Sequence, residues 1–131
     1  MVEYRHGMTV PLVTGLRALL RSGGGPLNIK ELCLTRNQWD NFQKLRYWDL
    51  VFQVEVDGQR KKGVWQITPL GMAFLFRETR VPNHVWTYRG RTVRTAETMV
   101  WVTDVVEWYE KREDYIATMR PVDGSDQMDL F

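Results

Sequence analysis

The sequence predicts an α+β fold: one compact unit with a small C-terminal appendage. Three observations carry that expectation. The chain has 131 residues, enough to bury about two thirds of its unfolded surface and short for two domains. Helical spacing and helix caps recur through Tyr47, and after Asp49 the apolar spacing changes to alternation, the signature of strands.

The elements follow in order. Pro11 to Ser22 reads as an amphipathic helix with Leu12, Val13, Leu16, Leu19 and Leu20 on one face and Arg17 and Arg21 opposite, ended by Gly23, Gly24 and Gly25. Two capping pairs then come seven residues apart, Asn28 with Glu31 and Thr35 with Gln38, each joining a cap side chain to a reciprocal acceptor three residues on. They predict a one-turn helix, Ile29 to Cys33, and a longer one, Arg36 to about Tyr47, burying Trp39, Phe42 and Leu45. Cys33 reads as a small core residue.

Phe52, Val54 and Val56 then alternate with Gln53 and Glu55, which predicts a strand. Asp57-Gly58 signals a turn, Arg60-Lys61-Lys62-Gly63 a basic loop, and Val64, Trp65 and Ile67 the returning strand. Thr68 caps and Pro69 opens a helix to about Arg77, apolar nearly all round and therefore expected to be buried. Beyond Pro82, a shorter hairpin joins Val85 to Tyr88 with Thr92 to Arg94 across Arg89-Gly90-Arg91. Met99 to Val102 suggests a strand, and Asp104 to Met119 a helix. Pro121 to Asp126 reads as a polar linker to a free, flexible end.

Composition narrows the function. Apolar residues make up 44% and no window approaches a membrane span. With one cysteine, Cys33, and only His6 and His84 beside it, neither a disulfide nor a Cys/His zinc site can be assembled, so no metal or cofactor is expected. Without a secretory pattern, the chain reads as cytoplasmic. The net charge of +2 conceals a division: 15 Lys/Arg against 7 Asp/Glu through Arg94, or +8, and 3 against 9 from Thr95 on, or −6. The basic front suggests a polyanionic partner. The acidic residues Asp104, Glu107, Glu110, Glu113 and Asp114 fit a solvated helix face better than a metal site. No nucleophilic triad surrounds Cys33, and no enzymatic activity is expected.

Helix, short helix, longer helix and basic hairpin is an order that resembles a winged helix-turn-helix, over about Val10 to Arg77. Trp65-Gln66-Ile67-Thr68-Pro69-Leu70-Gly71-Met72-Ala73-Phe74-Leu75 is similar to the strand-to-helix passage closing many such domains, and the stretch on to His84-Val85-Trp86-Thr87-Tyr88 resembles small phage proteins of this type. The resemblance implies that the third helix enters the major groove of double-stranded DNA while the wing reaches phosphates. Arg36, Asn37, Asn41 and Lys44 would then face DNA, with Asp40 among them, and Arg60, Lys61 and Lys62 would contact phosphate. Arg17 and Arg21 would extend the footprint. Winged helices also bind proteins, which is the competing reading.

The chain divides accordingly: 10–77 as the winged-helix domain, 78–120 as a hairpin and helical extension, 121–131 as linker and tail. Gln127-Met128-Asp129-Leu130-Phe131 resembles the peptide with which bacterial polymerases and repair proteins bind the sliding clamp, the β ring. That resemblance implies Gln127 as polar anchor, Leu130 and Phe131 as apolar plugs, Met128 as a side contact, and Asp129 at the motif's acidic position. Together these features imply an accessory protein of DNA replication or repair, with two weak contacts reinforcing each other. Two alternatives stay open: a clamp antagonist that blocks host polymerases, and a dimeric winged-helix transcription regulator.

Overall fold

The computed structural model describes residues 2–119; the expected linker and clamp-binding tail, Pro121 to Phe131, lie outside them. The architecture is mixed α+β. Strand β1 (Tyr4–Gly7) leads into helix α1 (Val10–Arg21), a two-residue strand β2 (Leu27–Asn28), a single 3-10 turn (Ile29–Leu32) and helix α2 (Arg36–Asn41). A 3-10 segment (Phe42–Trp48) precedes the hairpin β3 (Val51–Val56) and β4 (Gln59–Ile67), followed by helix α3 (Pro69–Leu75). Then come β5 (Val81–Pro82), the hairpin β6 (His84–Tyr88) and β7 (Arg91–Thr95), β8 (Met99–Val100) and helix α4 (Arg112–Met119). Among the described residues the strands form three antiparallel sheets, ordered β2-β4-β3, β1-β6-β7 and β5-β8.

The apolar face of α1 buries Leu12, Val13, Leu16, Leu19 and Leu20 against Phe42, Leu45, Phe74 and Leu75, and Val81, Val85 and Val102 belong to the same cluster. Gly23 (φ +103) closes α1 after the Ser22 cap, its N–H donating to the Leu20 carbonyl at 3.1 Å while the Gly24 N–H donates to the Leu19 carbonyl at 2.9 Å, an ending that glycine adopts without strain. The capping box forms as expected: Gln38 N–H donates to Thr35 Oγ1 (3.2 Å) and Thr35 N–H to Gln38 Oε1 (2.9 Å). Gln38 also donates to Thr14 Oγ1 (2.8 Å), joining α2 to α1.

The long helix expected from Arg36 to Tyr47 is instead α-helical only to Asn41. Asn37, Asp40 and Asn41 are weak interior helix formers, and the Asn41 side chain donates to the Asn37 carbonyl at 2.8 Å. Phe42, Leu45 and Trp48, spaced by three, are all buried, which suits the three residues per turn of a 3-10 coil. The price is Trp39: at 40% exposure it is not the core residue expected from its spacing. Cys33 is likewise exposed, in a left-handed conformation (φ 53) at the end of its turn.

Three further expectations are corrected. Arg60, Lys61 and Lys62 lie within β4, not in a loop, because Asp57 (φ 55) and Gly58 (φ 79) alone make the turn, as a two-residue hairpin loop allows. The strand expected from Met99 to Val102 stops at Val100, and the helix expected from Asp104 is confined to Arg112–Met119. The Glu110 N–H donates outward, to the Leu75 carbonyl (2.8 Å), which fixes that stretch by tertiary contact. β1 was not foreseen: it borders β6, with Arg5 opposite Trp86 and His6 opposite Val85.

His6 lies against the Tyr47 ring (centroids 5.0 Å) with Nε2 3.0 Å from Thr87 Oγ1. Burial, and then the nearby Lys44 charge, hold its pKa below the usual 6.5. The unfolded chain therefore binds this proton first on acidification, so stability present above pH 6.5 falls as pH drops through the folded-state pKa. His6→Gln should remove that part of the pH dependence in denaturant midpoints between pH 7.5 and 5; an unchanged profile would exclude His6 as its source.

Candidate nucleic-acid interface

Pairing of β2 with β4, Leu27 opposite Trp65 and Asn28 opposite Val64, brings the turn after β2 beside the hairpin. Asn28 holds that turn by accepting the Lys30 N–H at 3.0 Å. Between this turn, α2 and the hairpin runs a groove of about 530 Å³. Asn28 and Lys30 line it from the turn, Trp39 and Gln43 from α2 and the coil after it, Gln53 and Lys62 from the two hairpin strands. Its lining residues include no carboxylate. The groove thus joins two cations, several amides and an exposed indole, groups that contact phosphate, base edges and base faces respectively.

Of the residues expected at a DNA surface, Lys62 lines this groove. Arg36 is exposed and paired with Asp40, Nε to Oδ2 at 3.1 Å, a surface pair of the i,i+4 kind that is worth only about 0.3–0.5 kcal/mol. Asn37 is exposed, while the Asn41 amide is committed to the Asn37 carbonyl. Lys44 is half-buried on the side of His6. Lys61 is exposed on β4, and Arg60 stands opposite Glu55 in the strand register.

Arg17 and Arg21, expected to extend the footprint, both lie against Glu110. Arg21 forks onto Glu110 with bonds of 3.0 and 3.1 Å, Arg17 lies 3.4 Å from the same carboxylate, and the Arg17 guanidinium covers the Trp108 ring at 4.3 Å. Arg112 likewise forks onto Glu78 at 2.9 and 2.7 Å, which holds the Glu78 carboxyl below the usual carboxylate range. The Glu110 contacts therefore pair two cations of the basic front with a carboxylate of the acidic rear, whereas the Arg112 pair joins a cation of the rear to a carboxylate of the front.

Lys30, Trp39, Gln43 and Gln53 were missed as groove residues. The local signal for Trp39 is the capping box, which fixes the helix phase at Thr35 and Gln38; that Gln38 turns to Thr14, with Trp39 about 100° further round the helix, is decided by the tertiary structure. Nothing local in the sequence indicates that β2 brings Lys30 alongside Lys62. Among the described residues no group of His, Cys, Asp and Glu is arranged to hold a metal ion, and no helix is long and apolar enough to cross a membrane. No protein-family model, curated protein or solved structure matches this chain.

Proposed function

We propose that the chain is a non-enzymatic DNA-binding accessory protein of replication or repair, built as a winged helix-turn-helix and tethered to the bacterial sliding clamp by its C-terminal peptide. The observation that carries the DNA half is the carboxylate-free groove between α2 and the β3-β4 hairpin, with Lys30, Lys62 and Trp39 along it. The element order supports the same reading. A helix, a short strand, a second and third helical segment and a hairpin follow one another, with the short strand β2 paired to the hairpin's second strand β4. In this arrangement α2 approaches the major groove, and Lys61 and Lys62 meet phosphates from the hairpin.

The clamp half rests on Gln127, Met128, Asp129, Leu130 and Phe131. Two apolar side chains seated in a clamp pocket and a shallow electrostatic contact to DNA are each weak, and their linkage raises the effective concentration of the second once the first is made.

Both halves are tested with the full chain. Affinity for duplex DNA should fall steeply with salt, as counterion release requires; no binding at low salt would remove the DNA reading and leave a clamp antagonist. In a pulldown with the β ring, Leu130→Ala/Phe131→Ala should abolish retention. Retention equal to the unaltered chain would discard the tether.

A further inference from the structure

The sheet β1-β6-β7 carries a second, separate surface. Residues opposite one another on antiparallel strands project from the same face, and the register sets Arg5 of β1, Trp86 of β6 and Arg94 of β7 side by side. The Arg94 guanidinium lies 4.0 Å from the Trp86 ring centroid. Two residues on in β6, Tyr88 stands opposite Arg91, and the Arg89 guanidinium lies 5.3 Å from the Tyr88 ring. Two residues back, the His84 and Trp86 ring centroids are 6.4 Å apart. The opposite face, with Val85 and Thr87, is buried in the core. The outer face is thus a row of three half-buried rings, His84, Trp86 and Tyr88, flanked by exposed Arg5, Arg89, Arg91 and Arg94. Glu3 answers Arg94 at 3.0 Å, which leaves a clear cationic excess among these groups.

We infer that this face binds single-stranded nucleic acid, its bases stacking on the β6 ring row and its phosphates meeting the flanking arginines. The charge selects a polyanion, and the rings select one with exposed base faces. The rings argue for a single strand over a duplex: a base face is free to lie on a side chain only where it is not stacked on the next base. Neighbouring bases must therefore be unstacked to sit on successive rings, which a single strand permits and a duplex does not. Planar guanidinium groups over Trp86 and Tyr88 extend the stacking surface. Every residue of β7 is exposed, so this side of the sheet is open to an incoming strand.

The inference does not depend on the groove or on the tail. The test is fluorescence anisotropy of the full chain with labelled oligodeoxyuridylate and oligouridylate of about ten nucleotides, which share a base and differ in the sugar, a length within the usual single-strand site sizes. Binding of either supports the assignment, and the tighter of the two identifies the sugar. Trp86→Ala should weaken binding about ten-fold or more. Arg89→Asn/Arg91→Ala should lower the salt slope by about 1.4, the expectation for two phosphate contacts on a single strand. This second variant alters exposed side chains, and asparagine tolerates the left-handed turn at position 89 (φ 53), so it retains the fold even where Trp86→Ala does not. Lys30→Glu/Lys62→Glu should leave oligonucleotide binding unchanged, which separates this surface from the groove. No binding at low salt, or binding that Arg89→Asn/Arg91→Ala leaves unaltered in affinity and salt slope, would overturn the assignment.

Discussion

Gly71→Ala should destabilise the fold by about 3 kcal/mol, the upper end for overpacking a closed site, and lower Tm by roughly 10 °C. In an exposed helix the same change gains up to about 1 kcal/mol, so the sign reports the environment. A Cβ at Gly71 would overlap the Leu50 carbonyl oxygen and approach Ile67 Cγ1 at 2.8 Å. No rotamer relieves a Cβ, and α3 cannot retreat cheaply. The Thr68 N–H donates to the Leu50 carbonyl at 3.0 Å, and Thr68 Oγ1 both donates to the Asp49 carbonyl (2.6 Å) and accepts from the Gly71 N–H (3.0 Å). Thermal and denaturant unfolding measure the effect; a loss below about 1 kcal/mol would show that α3 shifts freely against β3.

Lys30→Glu/Lys62→Glu should weaken duplex binding by about 100-fold or more at low salt. Each reversal removes one phosphate contact and adds a repulsive charge, and two lost contacts reduce the salt slope by about 1.8. Both positions line the groove and neither has an ion pair shorter than 4.0 Å among the described residues, so the reversal reads out as lost binding. The matching control is Arg36→Ala, where the Asp40 pairing predicts a smaller loss. An affinity and slope unchanged by the double reversal would remove the groove from the DNA surface.

Much of the fold was legible because its signals are local. The α1 stripe, the Thr35-Gln38 capping box, the Asp57-Gly58 turn and the Thr68-Pro69 helix start each depend on residues within one or two turns, and each forms. The candidate site was less legible. Lys62 was named, but its partners come from β2, from the far side of α2 and from β3, and only strand pairing over tens of residues brings them together. β1 could not be foreseen for the same reason: Tyr4–Gly7 has no apolar alternation and is a strand because β6 supplies its hydrogen bonds.

The sequence by itself determined an α+β chain, its main helix and hairpin, and a division of charge between front and rear. Tertiary structure decided what that charge is free to do. Glu110 takes up Arg17 and Arg21, Glu78 takes up Arg112, and Asp40 takes up Arg36, whereas Lys30 and Lys62 reach a groove without carboxylates and Arg89 and Arg91 stand beside the rings of β6. Charge is a property of each residue, but its availability depends on distances of a few ångströms between segments far apart in the chain.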